Sequence, residues 1–92
     1  MAIFAVNYHY NTDDEGLAEV RPMHREWLGE HLAAGNLLAS GPLVHNPGAL
    51  LIWRADSLEQ LAELLDLDPF DIGGYLEERV ITEWNPVFGP WS

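Results

Sequence analysis

The first stretch of the chain alternates between two kinds of side chain. Residues Ile3 to Tyr8 are mostly β-branched, aromatic or small, which predicts a β-strand. Because successive side chains of a strand point to opposite faces, Phe4, Val6 and Tyr8 share one face. The other, more polar face carries Ala5, Asn7 and His9. The polar and acidic segment from Asn11 to Glu15 predicts a loop.

A helical period follows this loop. Pro22 suits the first turn of a helix, where its missing N–H costs nothing, so we expect the helix to begin there. Gly35, or Asn36 beside it, tolerates positive φ and is expected to end it. Spacings of i, i+3, i+4, i+7 and i+8 place five side chains on one stripe of this helix: His24, Trp27, Leu28, His31 and Leu32.

The rest of the chain predicts three more strands and a second helix. Leu37 to Leu43 forms the second strand, and the near-continuous apolar run from Ala49 to Arg54 forms a buried third strand. Ser57 to Gln60 fits a capping box that begins the second helix. Leu76 to Trp84 forms the fourth strand.

The element order is therefore βαββαβ, which predicts an α+β ferredoxin-like fold over a single domain, residues 1–92, with residues 85–92 as a C-terminal tail. Both helices would cover one face of an antiparallel sheet. The other face would need a partner, so we expect a homodimer whose sheets pack face to face as a dimeric α/β barrel. A well-filled monomer core is the alternative.

Composition narrows the function classes. The chain has 92 residues, 48% of them hydrophobic, with fifteen acidic residues against four basic ones and a net charge of −11. This charge disfavours nucleic acid and anionic membranes as partners. The chain has no cysteine and no lysine, so thiolate and Schiff-base chemistry are excluded. With no signal-like N-terminus, apolar span or phosphate-binding loop, we expect a cytoplasmic protein that needs no cofactor.

Three short motifs resemble the YciI-related (YCII) family: Arg21-Pro22-Met23-His24 with Trp27-Leu28, the run Gly35 to Leu43, and Asp68-Pro69-Phe70. The resemblance implies a dimeric ferredoxin-like fold and an active site centred on a histidine and an aspartate, here His24 and Asp68. A dehydrochlorinase acting on a chlorinated hydroxyquinol belongs to this family, which implies that the scaffold can be catalytic.

His24 and Asp68 would form a general base without a nucleophile. In the first turn of its helix, His24 would be held neutral by the positive helix end. Asp68 would stabilise the imidazolium once it forms and would fix which ring nitrogen carries the proton. The alternative is that His24 only continues the apolar stripe while Asp68 caps a turn before Pro69.

Three further residues are candidate substrate ligands. Arg21 would be a cation at a helix N-terminus, against the dipole preference, which suggests anion or phenolate binding, although pairing with Glu19 or Asp14 would also explain it. Ser40 could line a pocket beside Gly41, or be only a small strand residue.

His9 is the third candidate ligand. It could also join His24 and Asp68 around a metal ion, but no ligand spacing supports this, and no metal is expected.

Two functions follow from these residues. The first is a cofactor-independent enzyme whose His-Asp dyad performs lyase- or isomerase-like acid/base chemistry on a small hydroxylated or aromatic molecule. The second is a non-catalytic dimeric module that binds a small molecule or serves as an accessory protein.

Overall fold

The structure, a computed structural model, describes residues 2–11 and 14–92. The order of strands and main helices is the predicted one, with one short additional helix after the second. The elements are β1 Ala2–Tyr10, α1 Asp14–Ala34, β2 Leu37–Pro42, β3 Gly48–Ala55, α2 Leu58–Leu65, α3 Pro69–Ile72 and β4 Leu76–Trp84.

The four strands form one antiparallel sheet in the order β2-β3-β1-β4. β1 therefore lies between β3 and β4, and its register pairs Phe4 with Trp53 on one side and Val6 with Ile81 on the other. This topology confirms the predicted ferredoxin-like α+β fold. It also places the side chains of β1 in the centre of the molecule.

The two faces of the sheet differ in burial. Phe4, Val6 and Tyr8 are buried with Trp53 and with the leucines of α2, as the alternation in β1 predicts. On the opposite face the large apolar side chains of Leu50, Val80 and Trp84 stay about 40% exposed. The helices thus cover one face, and the sheet presents a partly apolar surface on the other.

The first helix begins well before the predicted position. α1 starts at Asp14, so Pro22 lies inside the helix and not in its first turn. Pro22 removes one backbone hydrogen bond there, but its ring is exposed. Leu17 is 3% exposed and extends the apolar stripe by two turns toward the N-terminus. Burial of that stripe outweighs the local cost of the proline. Of the predicted loop, Thr12 and Asp13 lie outside the described residues.

The predicted helix boundaries at two other points, the end of α1 and the start of α2, are confirmed. Gly35 follows α1 with a φ of 86°, which favours glycine. Ser57 caps α2 by accepting a hydrogen bond from the backbone N–H of Gln60. The Gln60 side chain reaches back to the N–H of Asp56, one residue earlier than in a standard capping box.

The C-terminal tail is only partly packed. Trp91 lies edge-on against Trp84 with ring centroids 6.3 Å apart, whereas Phe88 is 93% exposed.

In the part of the chain that the structure describes, no helix has the length and apolarity needed to cross a membrane.

Candidate active site

Asp68 lies at the turn between α2 and α3. Pro69 disfavours helical geometry at the preceding residue, and Asp68 accordingly has an extended backbone, with φ −62° and ψ 127°. It is the N-cap of α3, where its Oδ1 accepts a hydrogen bond of 2.8 Å from the N–H of Phe70. The whole residue is buried. Asp68 therefore does cap this turn, as the alternative interpretation expects. Its other carboxylate oxygen has a separate role.

The second oxygen of Asp68 connects two other elements. Oδ2 accepts a hydrogen bond of 2.7 Å from the hydroxyl of Tyr8 in β1 and lies 3.2 Å from Nε2 of His24 in α1. A buried carboxylate is costly unless donors surround it. Three donors surround the Asp68 carboxylate: the Tyr8 hydroxyl, Nε2–H of His24 and the backbone N–H of Phe70. An ionised carboxylate requires such an arrangement.

His24 is held by packing as well as by Asp68. It is 6% exposed, and its ring stacks on Phe70 with centroids 3.8 Å apart and planes 15° from parallel. Because Oδ2 of Asp68 is an acceptor, Nε2 of a neutral His24 carries the proton and donates it. The lone pair is then on Nδ1, which has no hydrogen-bond partner among residues 2–11 and 14–92.

Tyr8 is neutral in this arrangement. Burial, together with the negative charge of Asp68, raises the pKa of the Tyr8 hydroxyl well above its usual value. The hydroxyl therefore remains a donor to Asp68 throughout the physiological range. Tyr8 fixes the carboxylate from the sheet while Phe70 fixes it from α3.

An open cavity of about 460 Å³ lies beside this cluster. Its walls come from the end of β1, the middle of α1, the end of β2, the start of β3, and α3. The lining residues are Tyr10, Arg21, His24, Arg25, Leu28, Ser40, Gly41, Pro42, Ala49 and Phe70. The structure thus brings the predicted residues His24, Arg21 and Ser40 to one cavity, with Asp68 buried behind His24.

The aromatic wall of the cavity carries one further polar group. Tyr10 packs edge-on against Phe70, with ring centroids 5.5 Å apart. Burial raises the pKa of the Tyr10 hydroxyl, and the positive charge of Arg21 partly opposes this shift. Arg21 is therefore close enough for its charge to act on a group in the cavity.

His9 does not belong to this group. It alternates with Tyr8 and Tyr10 along β1, so it lies on the opposite, exposed face of the sheet and does not line the cavity. Its expected role as a substrate ligand beside His24 is wrong for this reason. The metal alternative fails on the same ground, since His9 cannot converge with His24 and Asp68; among residues 2–11 and 14–92 no three potential ligands form a metal site.

The helix-end arguments for His24 and Arg21 are also wrong. Both residues lie in the middle of α1, which begins at Asp14, so the positive end of the helix does not act on either. His24 is oriented instead by Asp68. Arg21 is placed in the cavity wall by the helical period, because it lies three residues before His24.

Sequence reasoning missed two residues of the site. The alternation in β1 predicts only that Tyr8 lies on the core face, yet a hydroxyl on that face needs a partner, and Asp68 is a buried acid. None of the sequence motifs indicates Arg25. Its spacing of four residues from Arg21, on the same side of a helix, is the signal that could have identified it.

Comparison with known families agrees with the fold and motifs. Residues 1–85 match the YCII-related domain, and the chain belongs to this family. No curated protein matches the sequence.

Several solved structures share the fold. One is 5-chloro-2-hydroxyhydroquinone dehydrochlorinase from Burkholderia phenoliruptrix AC1100, in complex with 2,5-dihydroxybenzoquinone. It is 17% identical, with a TM-score of 0.80, and the match covers 90% of this chain and 93% of that one. Protein Atu4242 from Agrobacterium tumefaciens is 20% identical, with a TM-score of 0.62 and full coverage of both chains. A NIPSNAP domain protein from Burkholderia xenovorans is 18% identical, with a TM-score of 0.60, over 98% and 99% of the two chains.

Proposed function

We propose that the protein is a cofactor-independent enzyme that performs lyase- or isomerase-like acid/base chemistry on a small hydroxylated or aromatic molecule. The observation that carries the proposal is the buried Asp68 bonded to His24 in the wall of an open cavity. An oriented imidazole beside a space for a ligand is what general-base catalysis requires.

The reaction would begin with proton transfer to His24. Its Nδ1 accepts a proton from a carbon or hydroxyl made acidic by a neighbouring carbonyl or ring, and the electron pair moves into an enolate or phenolate. Expulsion of a leaving group completes an elimination, and return of the proton to another carbon completes an isomerisation. The imidazolium formed in between keeps its Nε2–H bond to the Asp68 carboxylate, which stabilises the new positive charge.

The chemistry of one structural neighbour supports this class of reaction. That neighbour is a dehydrochlorinase that acts on a chlorinated hydroxyhydroquinone, so an elimination on a small aromatic ring occurs on the same fold. At 17% identity the likeness does not transfer the substrate. It supports only the class of chemistry and the approximate size of the ligand.

Exchange of substrate protons with solvent tests the proposal without knowledge of the product. Small hydroxylated aromatic and keto acids are incubated in D2O with the protein, and loss of C–H signals is followed by NMR. We expect exchange or turnover to fall by about 10²–10⁴-fold in His24→Gln. His45→Gln, at an exposed histidine in the turn before β3, is the matched control and should keep full activity. Unchanged rates in His24→Gln would refute the mechanism.

We also propose a homodimer formed through the open face of the sheet. Leu50, Val80 and Trp84 leave a partly apolar surface there that a second copy would cover. Sedimentation should give twice the monomer mass, and Val80→Asp should give a monomer. Val44→Asp, at a 90% exposed side chain in the turn between β2 and β3, should stay dimeric. A monomeric wild-type protein would contradict this assembly.

A binding module without catalysis is the second candidate. The adjacent, exposed side chains of Val87 and Phe88 in the tail favour it, because exposed apolar surface can mark a protein interaction site. This function predicts that His24→Gln binds ligand as the wild type does, and that the wild type shows no proton exchange with any ligand that binds.

A further inference from the structure

We propose that Arg21 and Arg25 form an anion-binding subsite of the cavity, and that the substrate is a small hydroxylated or aromatic carboxylic acid. The inference rests on the proposed function and names its substrate class. It follows from the placement of positive charge in a chain that has very little of it.

The four arginines of the chain face fifteen acidic residues. Arg79 is paired with Asp66 and Asp71. Arg54 lies at the other end of β3, beside Asn36 and Gln60. The remaining two, Arg21 and Arg25, both line the cavity that contains His24. Half of the arginine charge is therefore concentrated at one small opening.

Neither cavity arginine has a carboxylate partner among the described residues. The sequence explains why, because acidic residues at i±3 or i±4 are the usual partners on a helix. Those positions around the two arginines hold no acid: Leu17, Ala18, Pro22, His24, Leu28 and Gly29, besides the arginines themselves.

The four glutamates of α1 lie on the other side of the helix. Successive residues are rotated by about 100°, so the glutamates at 15, 19, 26 and 30 fall about 120–180° from Arg21. Arg25 falls only about 40° from Arg21. Two like charges at this spacing repel each other, which is unfavourable for the helix alone. Binding of an anion between them would remove that repulsion.

A carboxylate fits the rest of the cavity. Guanidinium groups bind carboxylates through paired N–H donors. A ring attached to that carboxylate would lie against Tyr10 and Phe70, the aromatic wall. His24 lies between the two arginines in sequence and lines the same cavity, so a ring held by its carboxylate would lie within reach of the imidazole.

Two probes that differ in one charge test this directly. The ligands are 2,5-dihydroxybenzoate and 2,5-dihydroxybenzamide, which share the ring and both hydroxyls. Calorimetric titration of the full chain should show the benzoate binding about tenfold more tightly, as expected for charge-assisted bonds at a partly exposed site. Arg21→Gln and Arg25→Gln should each reduce that ratio to near one. Arg54→Gln is the matched control and should leave it unchanged.

Several results would overturn the subsite. Equal affinity for the two ligands, no binding of the benzoate, or an equal loss in Arg54→Gln would each do so. Binding of inorganic phosphate in place of the benzoate would refute the carboxylic acid as the substrate class. His24→Gln should retain the preference for the benzoate. A missing preference in a protein whose proton exchange still depends on His24 would refute this inference alone; a retained preference without exchange would refute the proposed function alone.

Discussion

Substitution of Asp68 by Asn tests both the stability and the chemistry of the site. The asparagine has nearly the same volume, and its carbonyl can still accept from the N–H of Phe70. Its NH₂ group would replace the oxygen that accepts from Tyr8 and His24. The new NH₂ donor would then face two further donors, the Tyr8 hydroxyl and Nε2–H of His24, and both of these groups would have to rearrange.

The size of the effect follows from the bonds lost. Hydrogen bonds to a charged group contribute about 1.5–3 kcal/mol each, and two are lost at a residue with no solvent exposure. The Tyr8 hydroxyl can rotate to accept from the new amide, which recovers part of this. We therefore expect the free energy of unfolding to fall by about 2–4 kcal/mol. Such a loss leaves a domain of ordinary stability folded.

Urea unfolding of the variant measures this loss, with Asp66→Asn as the control. Asp66 is two residues away, its side chain is 66% exposed, and its ion pair with Arg79 is a surface one, so we expect a change below about 1 kcal/mol. Equal midpoints for the two variants would refute the argument that Asp68 is held by buried, charge-assisted bonds.

The remaining predictions concern neighbouring parts of the fold. Because the pKa of the Tyr8 hydroxyl is raised on folding, the unfolded chain loses this proton at lower pH than the folded one, and stability should fall above about pH 10 by up to about 1.4 kcal/mol per pH unit. Urea midpoints in Tyr8→Phe should fall less steeply than in the wild type, and an equal slope would refute the burial of this hydroxyl as the cause. Gly48→Ala should lower the free energy of unfolding by about 2–3 kcal/mol, since a Cβ there would collide with the Tyr8 carbonyl oxygen. A Cβ at Gly41 would meet nothing within 4 Å, so Gly41→Ala should have the stability of the wild type. Ser57→Ala should cost about 1 kcal/mol by thermal unfolding, through loss of the N-cap of α2; no change would show that the cap is dispensable.

The strands were predictable because their patterns are local. The alternation of Phe4, Val6 and Tyr8 defines the core face of β1, and the fourth strand, Leu76 to Trp84, has the predicted bounds. The start of α1 was not predictable from Pro22, because burial of Leu17 outweighs the proline's local preference.

The site was predictable only in part. His24 and Asp68 followed from the family motifs, and the structure places them in hydrogen-bond contact. The hydrogen bond from Tyr8 joins residues sixty positions apart, a pairing that no local pattern specifies. His9 failed for the opposite reason: its chemistry is suitable, but the two-residue period of β1 places it on the other face.

The central claim, that Asp68 orients His24 as a base, can be tested on the imidazole itself. Long-range ¹H–¹⁵N spectra of the wild type, at a pH where the ring is neutral, report which nitrogen carries the proton. The structure predicts the proton of His24 on Nε2 and the lone pair on Nδ1, with the reverse in Asp68→Asn. A wild-type His24 protonated on Nδ1, or a ring unchanged by Asp68→Asn, would contradict the account.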